Sequence, residues 1–435
     1  MAEKTVALAT LGCKVNQYES QAISETLEAR GWEIMSVTDI CSAYIINTCT
    51  VTAESDRKAR QTIRRLMGKN PNAFVLVTGC YSQTSPDAVS AISGVDYICG
   101  SSNKLSVADK LDELFQKGVK NTQTEINIPS LDTADFESMT ITKFDRTRAY
   151  VKIQDGCESH CTYCTIPAAR GPIRSKPMGE VICEVEGLIR GGCREVVLTG
   201  IETGSYGRDL SDGESLATLL EKIDKLDGIG RVRLGSLDPS IIKPEFVDRI
   251  KKLKSITPHF HLSMQSGSSA VLANMKRKYN SSQAMRAVKL LRDAFPTLQL
   301  TTDIIAGFPG ETEQDFEESC RLVENARFLM VHAFPYSKRR GTPAAVMKNQ
   351  VPDEIKHKRV AILSQKAAEI RGEILDSLIG SEVEVLFESQ SGGYSFGHTP
   401  EFVEVKVRCE GDLHACIRRV RILSHDQNVC EGEFV

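Results

Sequence analysis

Three cysteines fall close together in Gly156-Cys157-Glu158-Ser159-His160-Cys161-Thr162-Tyr163-Cys164, a C-x3-C-x2-C spacing. Three thiolates so placed can hold three corners of a cubane iron–sulfur cluster and leave the fourth iron open to an outside ligand. The competing chemistry is structural zinc. Zinc prefers four closed ligands, often two Cys-x2-Cys pairs. Here no fourth Cys or His follows at a usual distance, and His160 would crowd Cys161.

Three further cysteines share a topological position rather than a loop. Residues 1–116 read as alternating strands and helices, with short apolar strands at 5–11, 43–48 and 74–78 and helices over 20–30 and 54–67. That alternation implies a parallel sheet with helices on its faces. Ligands of such sheets gather outside the carboxyl ends of the strands. Cys13, Cys49 and Cys80 each lie just past a strand, so three distant thiolates can meet at one point. The amides at the following helix starts suit an anionic cluster. The plain alternative is that free Cys packs as a small buried hydrophobe. That fits Cys41, Cys99, Cys183, Cys193, Cys320, Cys409, Cys416 and Cys430, which share no repeated context.

The elements around these sites divide the 435 residues into three expected domains, 1–116, 143–372 and 373–435, with a polar linker at about 117–143. In the middle domain a strand at 149–154 delivers the Cys157 loop. Strands at 195–199, 231–234, 259–264, 299–305 and 329–334 follow, each leading into a polar or Gly-rich segment. Six β/α units are too few to close an eight-stranded barrel, and site residues of such folds sit after the strands. Glu202, Thr203, Ser236, Gln265 and Asp303 are candidate contacts of a polar cofactor on that face. Asp303 lies within an apolar strand, so it belongs either to the site or to a structural ion pair. Two basic runs beside aromatics, 275–279 and 337–340, could meet phosphates or simply be solvated. From about residue 380 the periodicity becomes two, which gives a small β-barrel or sheet with a Gly-Gly turn at 392–393.

Composition restricts the function class. The net charge is −3, but residues 141–372 carry 36 basic against 28 acidic side chains. A basic centre is compatible with a polyanion, and equally with a solvated surface. No run of eighteen apolar residues exists and the first ten residues show no cleavable signal, so no membrane association is expected. Fourteen cysteines without a secretory context favour metal or redox chemistry in a reducing compartment, which points to the cytoplasm.

The Cys157 loop resembles that of the radical S-adenosylmethionine (SAM) enzymes, and the whole chain resembles one family among them, the methylthiotransferases. The resemblance rests on Thr10-Leu11-Gly12-Cys13-Lys14-Val15-Asn16-Gln17-Tyr18-Glu19-Ser20, Asn47-Thr48-Cys49-Thr50-Val51-Thr52, Gly79-Cys80, the Cys157 loop through Ile166-Pro167-Ala168-Ala169-Arg170-Gly171, and Gly307-Phe308-Pro309-Gly310-Glu311-Thr312. Within the family, the stretch after Gly12 is similar to the branch acting on N6-threonylcarbamoyladenosine (t6A) at tRNA position 37.

The resemblance implies an α/β chain: an N-terminal parallel α/β domain, a partial (β/α)6 radical SAM barrel and a small C-terminal TRAM-like β-barrel. It implies two [4Fe–4S] clusters, a SAM-binding one on Cys157, Cys161 and Cys164 and an auxiliary one on Cys13, Cys49 and Cys80. SAM serves as methyl donor and radical source. One SAM methylates a sulfur on the auxiliary cluster; a second yields a 5′-deoxyadenosyl radical that takes hydrogen from C2 of the adenine, which then receives the methylthio group. Tyr163, between two cluster cysteines, would pack near the SAM adenine. Lys406, Arg408, Arg418, Arg419 and Arg421 could form one positive face on the last domain. The implied partners are a tRNA anticodon stem-loop carrying t6A37 and a low-potential electron donor; the sequence is compatible with a monomer but does not fix the oligomeric state. The alternatives are isopentenyladenosine-37 tRNA or a ribosomal-protein aspartate as substrate, and a non-catalytic iron–sulfur or zinc RNA-binding protein.

Overall fold

The computed structural model describes residues 3–144, 147–211 and 213–435. The first sheet has six parallel strands in the order Glu33–Met35, Thr5–Thr10, Ala43–Thr48, Phe74–Gly79, Tyr97–Cys99 and Glu125–Asn127. Ala43–Thr48 and Phe74–Gly79 are buried along their whole length. They read as continuous apolar runs because helices cover both faces of the sheet. On one face Ile46, Val75 and Val77 pack on Ala59, Ile63 and Leu66 of the helix Ala53–Lys69. On the other, Ile45 and Leu76 pack with Ile23, Leu27, Val107 and Leu111 from the helices Lys14–Ala29 and Ser106–Lys117. Strand order reverses between Thr5–Thr10 and Ala43–Thr48, and that switch point opens a crevice at the carboxyl ends.

The segment expected to be a linker is tied down. Residues Glu125–Asn127 form the sixth strand, and Met139 and Ile141 enter the core of the next domain. The strand escapes a hydrophobic reading because it is short and wholly exposed.

The six strands Arg148–Lys152, Glu195–Thr199, Arg231–Leu234, His259–Gln265, Gln299–Ala306 and Met330–Pro335 make a half-open barrel. They form two parallel three-stranded sheets, joined through the isolated bridges Val232–Ile256 and Leu237–Leu262. Strand alternation divides their side chains. Ala149, Val151, Val196, Leu198, Val232, Leu234, Phe260, Leu262, Leu300 and Ile304 face the covering helices as core. The alternate residues, among them Arg148, Glu195, Arg233, His259, Asp303 and His332, face a polar lumen. The helix Asp353–Asp376 packs on the last strand and runs through residue 373, so the boundary expected there falls inside a helix.

The last domain is a closed five-stranded barrel of Glu382–Ser391, Tyr394–His398, Glu404–Arg408, Cys430–Phe434 and Ile417–His425. Its first hairpin turns on Gly392 and Gly393, both at positive φ (59° and 80°), as a tight hairpin turn requires. It docks against the amino-terminal end of the half-barrel. Phe402 stacks between His259 and His398, with ring centroids 4.7 Å away on each side, and Arg233 and Arg148 lie over its ring at 4.9 and 5.2 Å. Phe402 thus floors the lumen. Of the basic residues expected on this domain, Lys406 is paired with Glu431 at 3.4 Å and Arg421 with Glu382 at 3.0 Å, which neutralises part of that face. Among the described residues no helix is long and apolar enough to cross a membrane.

Candidate active site

Cys13, Cys49 and Cys80 follow three neighbouring strands of the first sheet, and Cys13 and Cys49 flank its switch point. Gly12 (φ 96°) makes the approach possible: a Cβ there would lie 2.6 Å from the Cys49 Cβ and 2.8 Å from its Sγ. Cys49 and Cys80 are buried; Cys13 is open to solvent although protein surrounds it. Burial pushes the Cys49 thiol up to about 11, and the facing Cys80 sulfur adds to the shift. Burial raises Cys13 as well, against the pull of Arg170. Crowded thiols such as Cys13 and Cys49 stay protonated unless a cation joins them, and an iron centre is such a cation.

The second trio occupies one loop after the first barrel strand, with His160 in left-handed backbone (φ 45°) at its turn. Gly156 opens the loop at φ 76°, where a Cβ would overlap the Pro172 carbonyl oxygen at 1.7 Å. Each sulfur accepts an N–H bond: Cys157 from the Ser159 amide (3.4 Å), Cys164 from the Ile166 amide (3.4 Å) and Cys161 from Arg277 Nη1 (3.3 Å). Sulfurs already placed as acceptors are prepared for thiolate ligation. Burial raises Cys157 to about 11, helped by the Glu202 carboxylate, and raises Cys164 to about 12. This set also fits a cationic cluster, and its three-sulfur count leaves one iron free.

The candidate cofactor contacts separate in space. Glu202 lies at the loop, with Oε2 3.5 Å from Cys157 Sγ and Oε1 accepting from Ser159 Oγ (2.9 Å) and Lys278 Nζ (3.2 Å). Thr203 Oγ1 is buried beside it without a partner, an acceptor or donor left for a ligand. Ser236 is exposed after the third strand, and Gln265 ends the fourth in left-handed backbone (φ 63°). Asp303 sits deeper. Its Oδ2 is 3.2 Å from His261 Nε2, and His332 brings a third ligating atom within 4.8 Å. Tyr163 packs against an apolar cluster of Val271, Met275, Phe308, Tyr336 and Ala344, which anchors the loop from below.

Several residues that matter here were not singled out as site residues from sequence. The basic run 275–279 turns inward: Arg277 bonds Asp238 at 2.7 Å as well as Cys161, and Lys278 bonds Glu202. In the run 337–340, Arg339 is buried against Asp56 (2.7 Å) and Thr50 (2.7 Å) of the first domain. Arg170 is fully buried. It donates to Glu19 (2.6 Å), Asp155 (3.1 Å), Asn16 (2.6 Å) and, through Nε, to Cys80 Sγ (3.1 Å). Lys152 and Lys104 also pair with Glu19. Burial opposes ionisation of Glu19, but Arg170 and the two lysines outweigh it and hold the carboxyl well below its usual range. This network joins the two cysteine sites, because Arg170 ends the short helix that follows the Cys157 loop. Thr165 of that segment also donates to the Thr50 carbonyl at 3.3 Å, beside Cys49.

Residues 5–100 match the uncharacterized protein family UPF0004, and residues 151–323 match the Radical SAM superfamily. A relative from Bacillus subtilis (strain 168), the threonylcarbamoyladenosine tRNA methylthiotransferase MtaB, is 38% identical over 99% of this chain and 96% of its own. The Thermotoga maritima protein of the same name is also 38% identical, over 99% and 98%. The chain belongs to the radical SAM methylthiotransferases. Another member of the family, the tRNA-2-methylthio-N(6)-dimethylallyladenosine synthase of Caldicellulosiruptor saccharolyticus, is 32% identical over 99% of this chain and 93% of its own. Among solved structures, the radical SAM methyltransferase TsrM from Kitasatospora setae shares the fold at a TM-score of 0.57 and 17% identity, over 79% of this chain and 77% of that one. Membership in this family carries SAM and [4Fe–4S] clusters as cofactors, and both three-thiol sites suit the latter.

Proposed function

We propose that this methylthiotransferase converts t6A at tRNA position 37 to 2-methylthio-t6A. The observation that carries the reading is two three-thiol sites bridged by the Arg170 network, one at the switch point of a parallel sheet and one at the mouth of a half-barrel. The relatives named for threonylcarbamoyladenosine tRNA, 35–38% identical over most of their length, supply the substrate. Cys157, Cys161 and Cys164 would hold the SAM-binding cluster, and Cys13, Cys49 and Cys80 the auxiliary one. When bound, these groups supply reductive SAM cleavage and the sulfur that becomes the methylthio group.

The protein's own residues bind and orient. C2–H of a purine is not acidic, so no side chain need act as its base. Thr203 and Glu202, on the second strand's loop beside Cys157, would meet SAM, and Arg277 holds Cys161 from the segment after the fourth strand. The Arg170 network fixes the two sites against each other. Phe402 closes the lumen floor to water. A single-stranded loop base splayed from the anticodon would enter from the open side.

The test is anaerobic reconstitution with iron and sulfide, followed by SAM, a low-potential reductant and t6A-containing tRNA, with nucleosides read by mass spectrometry. The expected result is a nucleoside at the mass of 2-methylthio-t6A. Formation of 5′-deoxyadenosine with unmodified t6A, or equal modification of tRNA carrying isopentenyladenosine, would overturn the substrate.

A further inference from the structure

Lys14 begins the helix Lys14–Ala29, directly after Cys13. Three, four and seven residues on, Gln17, Tyr18 and Gln21 share its helix face and line a small cleft with Arg148 and Tyr150 of the first barrel strand. The helix therefore lies along the edge that six strands leave open. The Lys14 ammonium is within electrostatic reach of Arg148, Glu195, Arg233 and Asp303, and of His259 and His332. These six groups come one from each of the six barrel strands. Lys14 itself is open to solvent, so its ammonium stands on the open, solvent-filled side of the lumen rather than in the packed core.

The other lumen charges have partners. Glu195 is 2.7 Å from Arg233 and 3.0 Å from Arg148, and Asp303 bonds His261. Arg231 and Arg148 reach Glu384 and Glu388 of the last domain at the floor. Among the described residues only Lys14 and His332 of this group have no hydrogen bond or ion pair, and burial disfavours the charged form of His332, which leaves Lys14 as the one unpaired cation. A cation beside other cations, with the carboxylates in its reach, Glu195 and Asp303, already bonded elsewhere, marks the place for an anionic ligand group.

On the proposed function, one group on the substrate matches. The N6 arm of t6A ends in a carboxylate, whereas an isopentenyl arm ends in methyl groups. We propose that Lys14 is the specificity residue of this enzyme, its ammonium receiving the carboxylate of the threonylcarbamoyl arm inside the barrel lumen. His261 and Asp303, bonded to each other, are placed to meet the polar atoms of the same arm. His261, Asp303 and His332 could also bring a divalent cation to that carboxylate, although the surrounding lysine and arginines oppose one.

The test compares binding of three anticodon stem-loops to the reconstituted full-length enzyme by fluorescence anisotropy: t6A37, t6A37 with its carboxylate capped as the amide, and unmodified A37. Wild type should prefer t6A over its amide by about 10- to 100-fold, the range of a charge-assisted hydrogen bond. Lys14→Met should erase that preference, Lys14→Arg should keep most of it, and kcat/KM should follow the same order. Equal wild-type binding of t6A and its amide would overturn the proposal without any variant. So would a preference that Lys14→Met retains, or one that requires added divalent cation and vanishes with chelator. If wild type discriminates yet forms no 2-methylthio-t6A while cleaving SAM, the proposed reaction fails and the arm-binding inference stands.

Discussion

The two cysteine trios solve one problem in opposite ways. The Cys157 trio is contiguous, and its loop supplies two of the three N–H bonds to its own sulfurs. The Cys13 trio is assembled from three strand ends, and the side-chain donor to its Cys80 sulfur, Arg170, comes from the other domain. A contiguous site gathers its three ligands within one loop and draws a single sulfur donor, Arg277, from a distance. An assembled site needs the whole sheet, a glycine at position 12 and a docked neighbour. The second is therefore the more sensitive member of the pair.

Variants can separate the two. The largest effects come from the ligands themselves. Cys157→Ala should abolish 5′-deoxyadenosine formation, and Cys49→Ala should keep it while abolishing methylthio transfer; each should lose about half of the bound iron, since one of two clusters goes. If both variants cleave SAM equally well, the assignment of the two sites fails. Arg170→Met should come next. Leaving Glu19 and Asp155 with fewer cations in a buried site costs about 3–5 kcal/mol, visible in the denaturant midpoint, and iron should be lost from the assembled site first. Arg277→Gln reaches only the contiguous site. Outer-sphere changes of this kind cost about 10–100-fold in activity or metal affinity, so SAM cleavage should slow while auxiliary iron stays. Lys278→Ala should be smallest: its side chain is 40% exposed, the pair is worth at most about 1 kcal/mol, and a few-fold rise in KM for SAM is the expected readout.

This contrast also accounts for what could be read in the sequence. The Cys157 loop is visible because all its ligands are neighbours. Cys13, Cys49 and Cys80 are visible because each repeats the same place after a strand, and a repeat survives long separation. The Arg170–Glu19–Lys152 network has no such signature. Its members are ordinary charged residues until folding brings them together, although Arg170 and Glu19 both stand in the motifs that resemble the family. The run at 275–279 could by sequence meet phosphate or be solvated; Arg277 instead turns inward to Cys161 and Asp238, while Lys278, still partly exposed, pairs with Glu202. Asp303 could be an ion-pair or a site residue by sequence; it pairs with His261 while facing the lumen. The strand Glu125–Asn127 escaped because three exposed residues carry no periodicity.

The buried network between the first two domains has a consequence for how such enzymes can diversify. Glu19, Asn16 and Lys104 belong to one domain, and Lys152, Asp155 and Arg170 to the other, yet each side completes the charge balance of its partner. A chimera joining this first domain to a foreign radical SAM domain would inherit mismatched charges at the seam, however well each half folds. Recombination is therefore confined to halves that bring this lock and key together, while the lumen and its Lys14 remain free to vary.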